Sequence, residues 1–185
     1  MRNENSQFRI RHSELKTMPK FHLTLTVNGE QRELLVDPRR SLLDILRNEL
    51  DLRGAHRGCD SGDCGACTVW INGQPVTSCM VLAADCEGAE VVTVEGVSAN
   101  GELHPVQQAL VEQGGIQCGF CTPGIVMMSI ALLKDNPHLT EDEVRLGLAG
   151  NLCRCTGYKK IVEAVLSVGV PASAAVEYAL RDPIE

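Results

Sequence analysis

The sequence predicts an α+β fold in two successive units: a small sheet carrying one helix, then a bundle of four helices. Three observations predict it. β-prone, alternating runs occupy residues 21–94 and do not recur beyond them. Helix-start signals crowd the second half, with Pro105, Thr122-Pro123 and the capping box Thr140-x-x-Glu143. Between the halves the composition changes after Ser98, where Glu95-Gly96 and Asn100-Gly101 punctuate the chain. These signals divide the protein into an N-terminal arm (1–19), a first unit (20–97), a second unit (98–170) and a tail (171–185).

The arm lacks periodicity, and Met18 within it is an alternative start. Residues 21–27 alternate and read as a strand. Asn28-Gly29 is a tight-turn signal, and residues 33–36 return as the partner strand, closed by Asp37-Pro38. Ser41 is placed to cap a helix whose apolar residues Leu42, Leu43, Ile45, Leu46 and Leu50 share one face. A glycine-rich loop spans residues 54–67. Residues 68–71 form a strand, Asn72-Gly73 a second hairpin turn, and residues 76–80 and 91–94 the remaining strands. Hairpin, helix and further strands describe a β-grasp type of domain. Four helices follow: 105–113, stopped by Gly114-Gly115; 125–134, capped by Thr122 with Pro123 as first residue; 140–149; and 158–168.

Bulk properties narrow the function. A net charge of −7 argues against nucleic acid, which calls for a basic patch. No apolar run reaches the length of a membrane span, and the first twenty residues show neither a secretory nor a twin-arginine pattern. The expected location is therefore cytoplasmic, where thiols stay reduced and available to metals. Aromatic residues make up only 3 %, so the cores rest on aliphatic side chains, and metal ligation can supply folding energy they lack.

Nine cysteines are the strongest signal, because eight of them fall into two sets of four. Cys59, Cys64, Cys67 and Cys79 read C-x4-C-x2-C-x11-C, opening with the plant-type [2Fe–2S] spacing. Three ligands within ten residues force the backbone to curl around the metal. Gly58, Gly62 and Gly65 permit that curl and let N–H groups approach sulfur. Zinc takes its ligands from separated short knuckles instead. The second set pairs Cys118 and Cys121 (C-x2-C) with Cys153 and Cys155 (C-x-C). Taken alone it also fits zinc. Both pairs precede predicted helices, whose N-termini favour any anionic centre. The neighbouring first set tilts the second towards iron, since a second redox centre extends an electron path. Cys86 is left over and reads as a buried small apolar residue.

His12, His22, His56, His104 and His138 lack metal-ligand spacing and read as surface or satisfied residues; His56 lies near the first loop. No dinucleotide fingerprint, P-loop or nucleophile elbow is present, so no catalytic residue is assigned to this chain.

Three stretches, GCDSGDCGACT (58–68), QCGFCTPG (117–124) and GNLCRCTGY (150–158), together resemble the small iron–sulfur subunit of the molybdenum hydroxylases, the xanthine dehydrogenase and aldehyde oxidase family. The resemblance covers about residues 20–170, in the order and spacing of that subunit. It implies an N-terminal ferredoxin-like domain with one [2Fe–2S] cluster on Cys59, Cys64, Cys67 and Cys79. It also implies a C-terminal helical domain with a second on Cys118, Cys121, Cys153 and Cys155. By the same resemblance, Gln117 contacts the molybdopterin of a large partner subunit, Cys155 sits near the pterin amino group, and the first cluster faces the FAD of a medium subunit. The implied function is electron transfer from molybdopterin through both clusters to FAD or another acceptor. A chain of this length is expected to leave molybdopterin and FAD to separate polypeptides. A stand-alone ferredoxin-like carrier and a zinc-stabilised interaction module are the alternatives.

Overall fold

A computed structural model describes residues 19–98 and 101–169. The expectations for residues 1–18, including Met18, and for residues 171–185 lie outside the described residues. Five strands are present: β1 (Phe21–Val27), β2 (Glu30–Val36), β3 (Thr68–Ile71), β4 (Gln74–Thr77) and β5 (Glu90–Val92). They form one mixed sheet in the order β2-β1-β5-β3-β4, with β1 and β5 parallel and the other pairs antiparallel.

Local chemistry explains the hairpins. Asn28 and Gly29 both take positive φ (52° and 82°), as do Asn72 and Gly73 (50° and 78°), the two-residue turn that matches the twist of paired strands. The first turn is so tight that β2 pairs from Glu30 onward rather than from Glu33, with Val27 opposite Glu30. Ser41 caps helix α1 (Leu42–Asp44) through a capping box with Asp44. The helix then widens into a π-helical turn over Ile45–Glu49, where the Leu50 N–H bonds the Ile45 carbonyl at 3.1 Å. Leu42, Leu43, Ile45 and Leu46 pack with Leu23, Leu25, Val27 and Val91 in the first core.

Other boundaries shift as well. β4 ends at Thr77, not at residue 80, because the Ser78 hydroxyl and N–H both bond the Cys67 carbonyl (2.7 and 3.3 Å) and pull the chain into a 3₁₀ turn, Ser78–Met80. β5 stops at Val92, since the Thr93 N–H goes to the Asn28 side chain at 2.9 Å. Helix α3 (Thr122–Asp135) begins one residue early: its cap is Cys121 and not Thr122.

The second unit holds α2 (Pro105–Glu112), α3, α4 (Glu141–Gly147) and α5 (Lys159–Val168) around a core of Val106, Leu110, Ile125, Ile130, Leu148 and Ile161. The Thr140–Glu143 capping box opens α4 as expected, though that helix ends at Gly147. α2 is capped by the His104 ring, whose Nδ1 accepts from the Val106 N–H at 3.2 Å.

β3 joins the units. Strand pleating sends Val69 into the first core and Trp70 towards the second, where the Trp70 indole N–H donates to the Met127 carbonyl of α3 at 3.0 Å. The sheet thus lies between α1 on one face and α3 on the other. Among the described residues no helix is long and apolar enough to cross a membrane.

Candidate metal centres

The first set is assembled by the long loop before β3 and by the β3–β4 hairpin. Thr68 pairs with Thr77, so Cys67 and Cys79 flank the same end of that hairpin, where the Cys67 thiol adds to the burial that raises Cys79. Cys59 and Cys64 make a second close pair. Arg57 ties the Cys59 end of the loop to α1, bonding Asp44 at 2.6 Å and also Asp60. A Cβ at Gly58 would sit 2.7 Å from the Cys64 sulfur, which is why a glycine precedes Cys59.

In the second set, Cys118 and Cys155 have their sulfurs 3.5 Å apart, while Cys121 faces Cys153. Cys121 is itself the cap of α3, so this pair meets a helix N-terminus directly. The C-x-C pair meets α5 differently. Tyr158, the residue before α5, has a left-handed backbone (φ 68°). Its hydroxyl accepts the Cys153 N–H at 2.8 Å and donates to the Asn151 carbonyl at 3.0 Å.

Backbone N–H groups point at the sulfurs: Ser61 and Cys64 at Cys59, Ala66 at Cys64, Gly62 at Cys79, Phe120 at Cys118, and Thr156 and Cys155 at Cys153. These donors and the mutual contact split three of the pairs electrically. The Ser61 hydroxyl and N–H pull Cys59 down to about 6, while burial raises Cys64. The Phe120 N–H lowers Cys118, and Cys118 in turn raises Cys155. Burial alone raises Cys153, but the Thr156 hydroxyl and N–H outweigh it and bring the thiol below its usual range. Burial pushes Cys121 up to about 12 and Cys79 up to about 11. Three pairs thus contain one sulfur that favours the thiolate and one that keeps its proton, the proton that metal binding displaces.

Within each quartet the thiols lie close enough to act on one another, and a binuclear iron centre takes two thiolates on each iron.

The fold also sets the two quartets edge to edge. The Leu152 N–H bonds the Cys64 carbonyl at 2.9 Å. The Asn151 side chain, 5 % exposed, donates to the Gly65 carbonyl at 3.0 Å and to the Thr68 hydroxyl at 3.3 Å.

Known proteins resemble this chain. Residues 25–94 match the family described as "2Fe-2S iron-sulfur cluster binding domain", and residues 93–166 the family described as "[2Fe-2S] binding domain". The nicotinate dehydrogenase small FeS subunit of Eubacterium barkeri is 45 % identical over 148 residues, spanning 80 % of this chain and 94 % of that one. The xanthine dehydrogenase iron-sulfur-binding subunit of Escherichia coli O157:H7 is 46 % identical over 160 residues, 85 % and 96 % of the two chains. This chain belongs to the small iron–sulfur subunits of the molybdenum hydroxylases. A solved chain of quinoline 2-oxidoreductase from Pseudomonas putida 86 has the same fold, with a TM-score of 0.79 at 41 % identity over 81 % of this subunit and 93 % of that chain.

The small subunit is thus the electron-transfer component of an oxidoreductase, with two [2Fe–2S]-binding domains, and neither the free carrier nor the zinc module is favoured. Gln117 is exposed beside Cys118, itself exposed, as is Cys155. Cys86 is fully buried in the first core, where burial raises its thiol to about 11. Sequence reasoning missed Asn151, Leu152 and Trp70 as contacts between the units. Their sequence neighbours gave no signal, because each partner lies more than 50 positions away.

Proposed function

We propose that Cys59, Cys64, Cys67 and Cys79 bind one [2Fe–2S] cluster and that Cys118, Cys121, Cys153 and Cys155 bind the other. The observation that supports this assignment is the gathering of the eight cysteines into two groups of mutually acting thiols, with the Cys118 and Cys155 sulfurs 3.5 Å apart and the Ser61 N–H on the Cys59 sulfur. Bound there, a cluster takes up and returns one electron at a time. The chain's own part is to supply thiolates, to stabilise their charge with N–H groups, and to fix the spacing of the two centres. Its working domains are then residues 20–97, ferredoxin-like, and 98–170, a four-helix bundle.

Electrons enter, in this reading, at the exposed Cys118–Cys155 edge. That edge carries Gln117 and is flanked by the half-exposed apolar side chains Phe120 and Leu152, a face suited to a protein partner. We assign the molybdopterin of a large subunit to this edge, with Gln117 and Cys155 against the pterin, and the FAD of a medium subunit to the side of Cys59. Cysteines that must stay reduced to hold clusters suit the cytoplasm. Relatives named for nicotinate, caffeine and an aldehyde are 43–47 % identical to this chain, so a nearly common small subunit serves different substrates, and substrate selection falls to the partner.

The test is quantitative EPR of the dithionite-reduced chain, with iron and sulfide counted on the same sample, for the wild type and Cys155→Ser. The wild type is expected to show two [2Fe–2S] signals, each near one spin per chain, and Cys155→Ser to lose or alter only one. A single signal in the wild type, or two unaltered signals in the variant, would refute the assignment.

A further inference from the structure

His56 lies three residues before Cys59, yet its partners belong to the other quartet. Its Nδ1 is 2.8 Å from the carbonyl oxygen of Phe120, the residue between Cys118 and Cys121. A carbonyl only accepts, so Nδ1 carries the proton and donates. The imidazole also stacks on the Phe120 ring, with centroids 4.8 Å apart and planes inclined by 21°. That ring in turn lies over Gly58, 3.4 Å from where a Cβ there would be. On its other side His56 is anchored in the first loop, its backbone N–H donating to the Ala66 carbonyl at 3.0 Å. One side chain therefore grips the C-x2-C loop while its main chain is pinned next to Cys67.

Geometry decides what this grip does. The Phe120 N–H points at the Cys118 sulfur, so the peptide unit that begins with Phe120 is held by His56 on its carbonyl side, and the preceding one faces the thiol pair. Releasing the carbonyl leaves the outer rim of the C-x2-C loop held by the 3.2 Å bond from the Thr122 N–H to the Gly119 carbonyl, and the open space at Gly119, φ 84°, gives the rim room to swing. The second apolar core reaches the loop at Cys121 and leaves the rim itself free, with Phe120 47 % exposed.

We propose that His56 is a positioning residue that locks the Cys118–Cys121 loop against the Cys59–Cys67 loop and thereby holds the electronic coupling between the two centres. The proposal rests on the reading that both quartets carry [2Fe–2S] clusters. The step it governs is a one-electron exchange in which one centre is oxidised and the other reduced, with no bond made or broken.

The test compares His56→Leu, His56→Gln and His56→Asn in the full-length, cluster-loaded chain. Asparagine places its amide nitrogen where Nδ1 sits and keeps the donor; glutamine places it near Nε2 and loses the bond; leucine has no donor. The readout is the low-temperature EPR splitting that arises when two neighbouring reduced clusters sense each other. The expected result is loss of the splitting in His56→Leu and His56→Gln, its retention in His56→Asn, and two full one-spin signals in all three. An unchanged splitting in the leucine and glutamine variants would overturn the proposal. So would disappearance of either cluster signal in both, which would make His56 a residue of cluster retention instead. A wild-type chain with fewer than two signals would refute the underlying cluster reading, a result separable from the others.

Discussion

Gly124 offers the sharpest test of how the two loops are joined. It is the third residue of α3, directly after the Thr122-Pro123 start, and is buried. A Cβ at Gly124 would lie 2.1 Å from the Gly65 carbonyl oxygen and 3.1 Å from the Asn151 side-chain nitrogen. Since the obstacle is backbone, the helix and the first cysteine loop must part by roughly 1 Å to admit alanine, an overpacking strain of about 1–3 kcal/mol. The movement also stretches the 3.0 Å bond from Asn151 to that same carbonyl, which contributes about 1 kcal/mol. Against this, alanine is favoured over glycine inside a helix by up to about 1 kcal/mol. The strain wins, and Gly124→Ala is expected to destabilise the protein by about 1–3 kcal/mol, a fall in Tm of roughly 3–10 °C at this chain length. Thermal unfolding of the cluster-loaded chain by circular dichroism measures it. Gly150→Ala is the control, because nothing lies within 4 Å of a Cβ there, and it should stay within about 0.5 kcal/mol of the wild type. A Gly124→Ala protein that melts at or above the wild-type temperature would show that this close approach does not exist.

Two further outcomes are expected. Asn151→Ala removes two hydrogen bonds from the buried seam, while the Gly65 carbonyl keeps the Thr68 hydroxyl and N–H, so stability should drop by about 1–3 kcal/mol in a denaturant titration; an unchanged midpoint would mean the seam carries no strength. In chain stripped of metal, alkylation by iodoacetamide should distinguish the thiols. The Cys59 thiol, lowered to about 6, gains thiolate as pH rises through that value and reacts at neutral pH, whereas Cys121 (about 12) and Cys86 (about 11) stay protonated and unreactive there. Mass mapping at pH 7 checks this, and equal labelling of all three would show that the loops lose their arrangement without metal.

The features legible in the sequence are those whose causes are local. The Asn-Gly turns declare themselves because two positive φ values in succession suit few other residue pairs. Ser41 and Thr140 were readable as caps because each finds its acidic partner three residues on. The curl of the first cysteine loop follows from its spacing and glycines. Other features have distant causes. β5 enters the sheet between β1 and β3, parallel to a strand some 60 positions earlier, and nothing in Glu90–Val92 announces that slot. The left-handed Tyr158 breaks the rule that such backbone favours glycine; the hydrogen bonds of its hydroxyl to Cys153 and Asn151 hold it there, and these exist only once the loop is folded. His56 read as satisfied, and it is, but by a residue 64 positions away.

A relay between two centres needs a separation that does not drift, and the apolar cores cannot provide it alone. Each unit has its own core, and surfaces between units in one chain ordinarily allow relative motion. Van der Waals contact between aliphatic side chains is also indifferent to small sliding. Directional contacts are not indifferent. The Leu152-to-Cys64 bond, the two bonds of Asn151, the Trp70 indole bond to Met127 and the His56 bond to Phe120 all cross between the units, at 2.8–3.3 Å. All but the Trp70 bond lie beside a cysteine loop. Their donors or acceptors are mostly backbone groups, so their positions are set by the loops that carry the ligands. Where the backbones meet most closely, Gly65 and Gly124 have no side chain to hold them apart. The fold therefore divides its labour: aliphatic burial keeps each unit folded, and a short polar seam with two glycines fixes the distance an electron must cross.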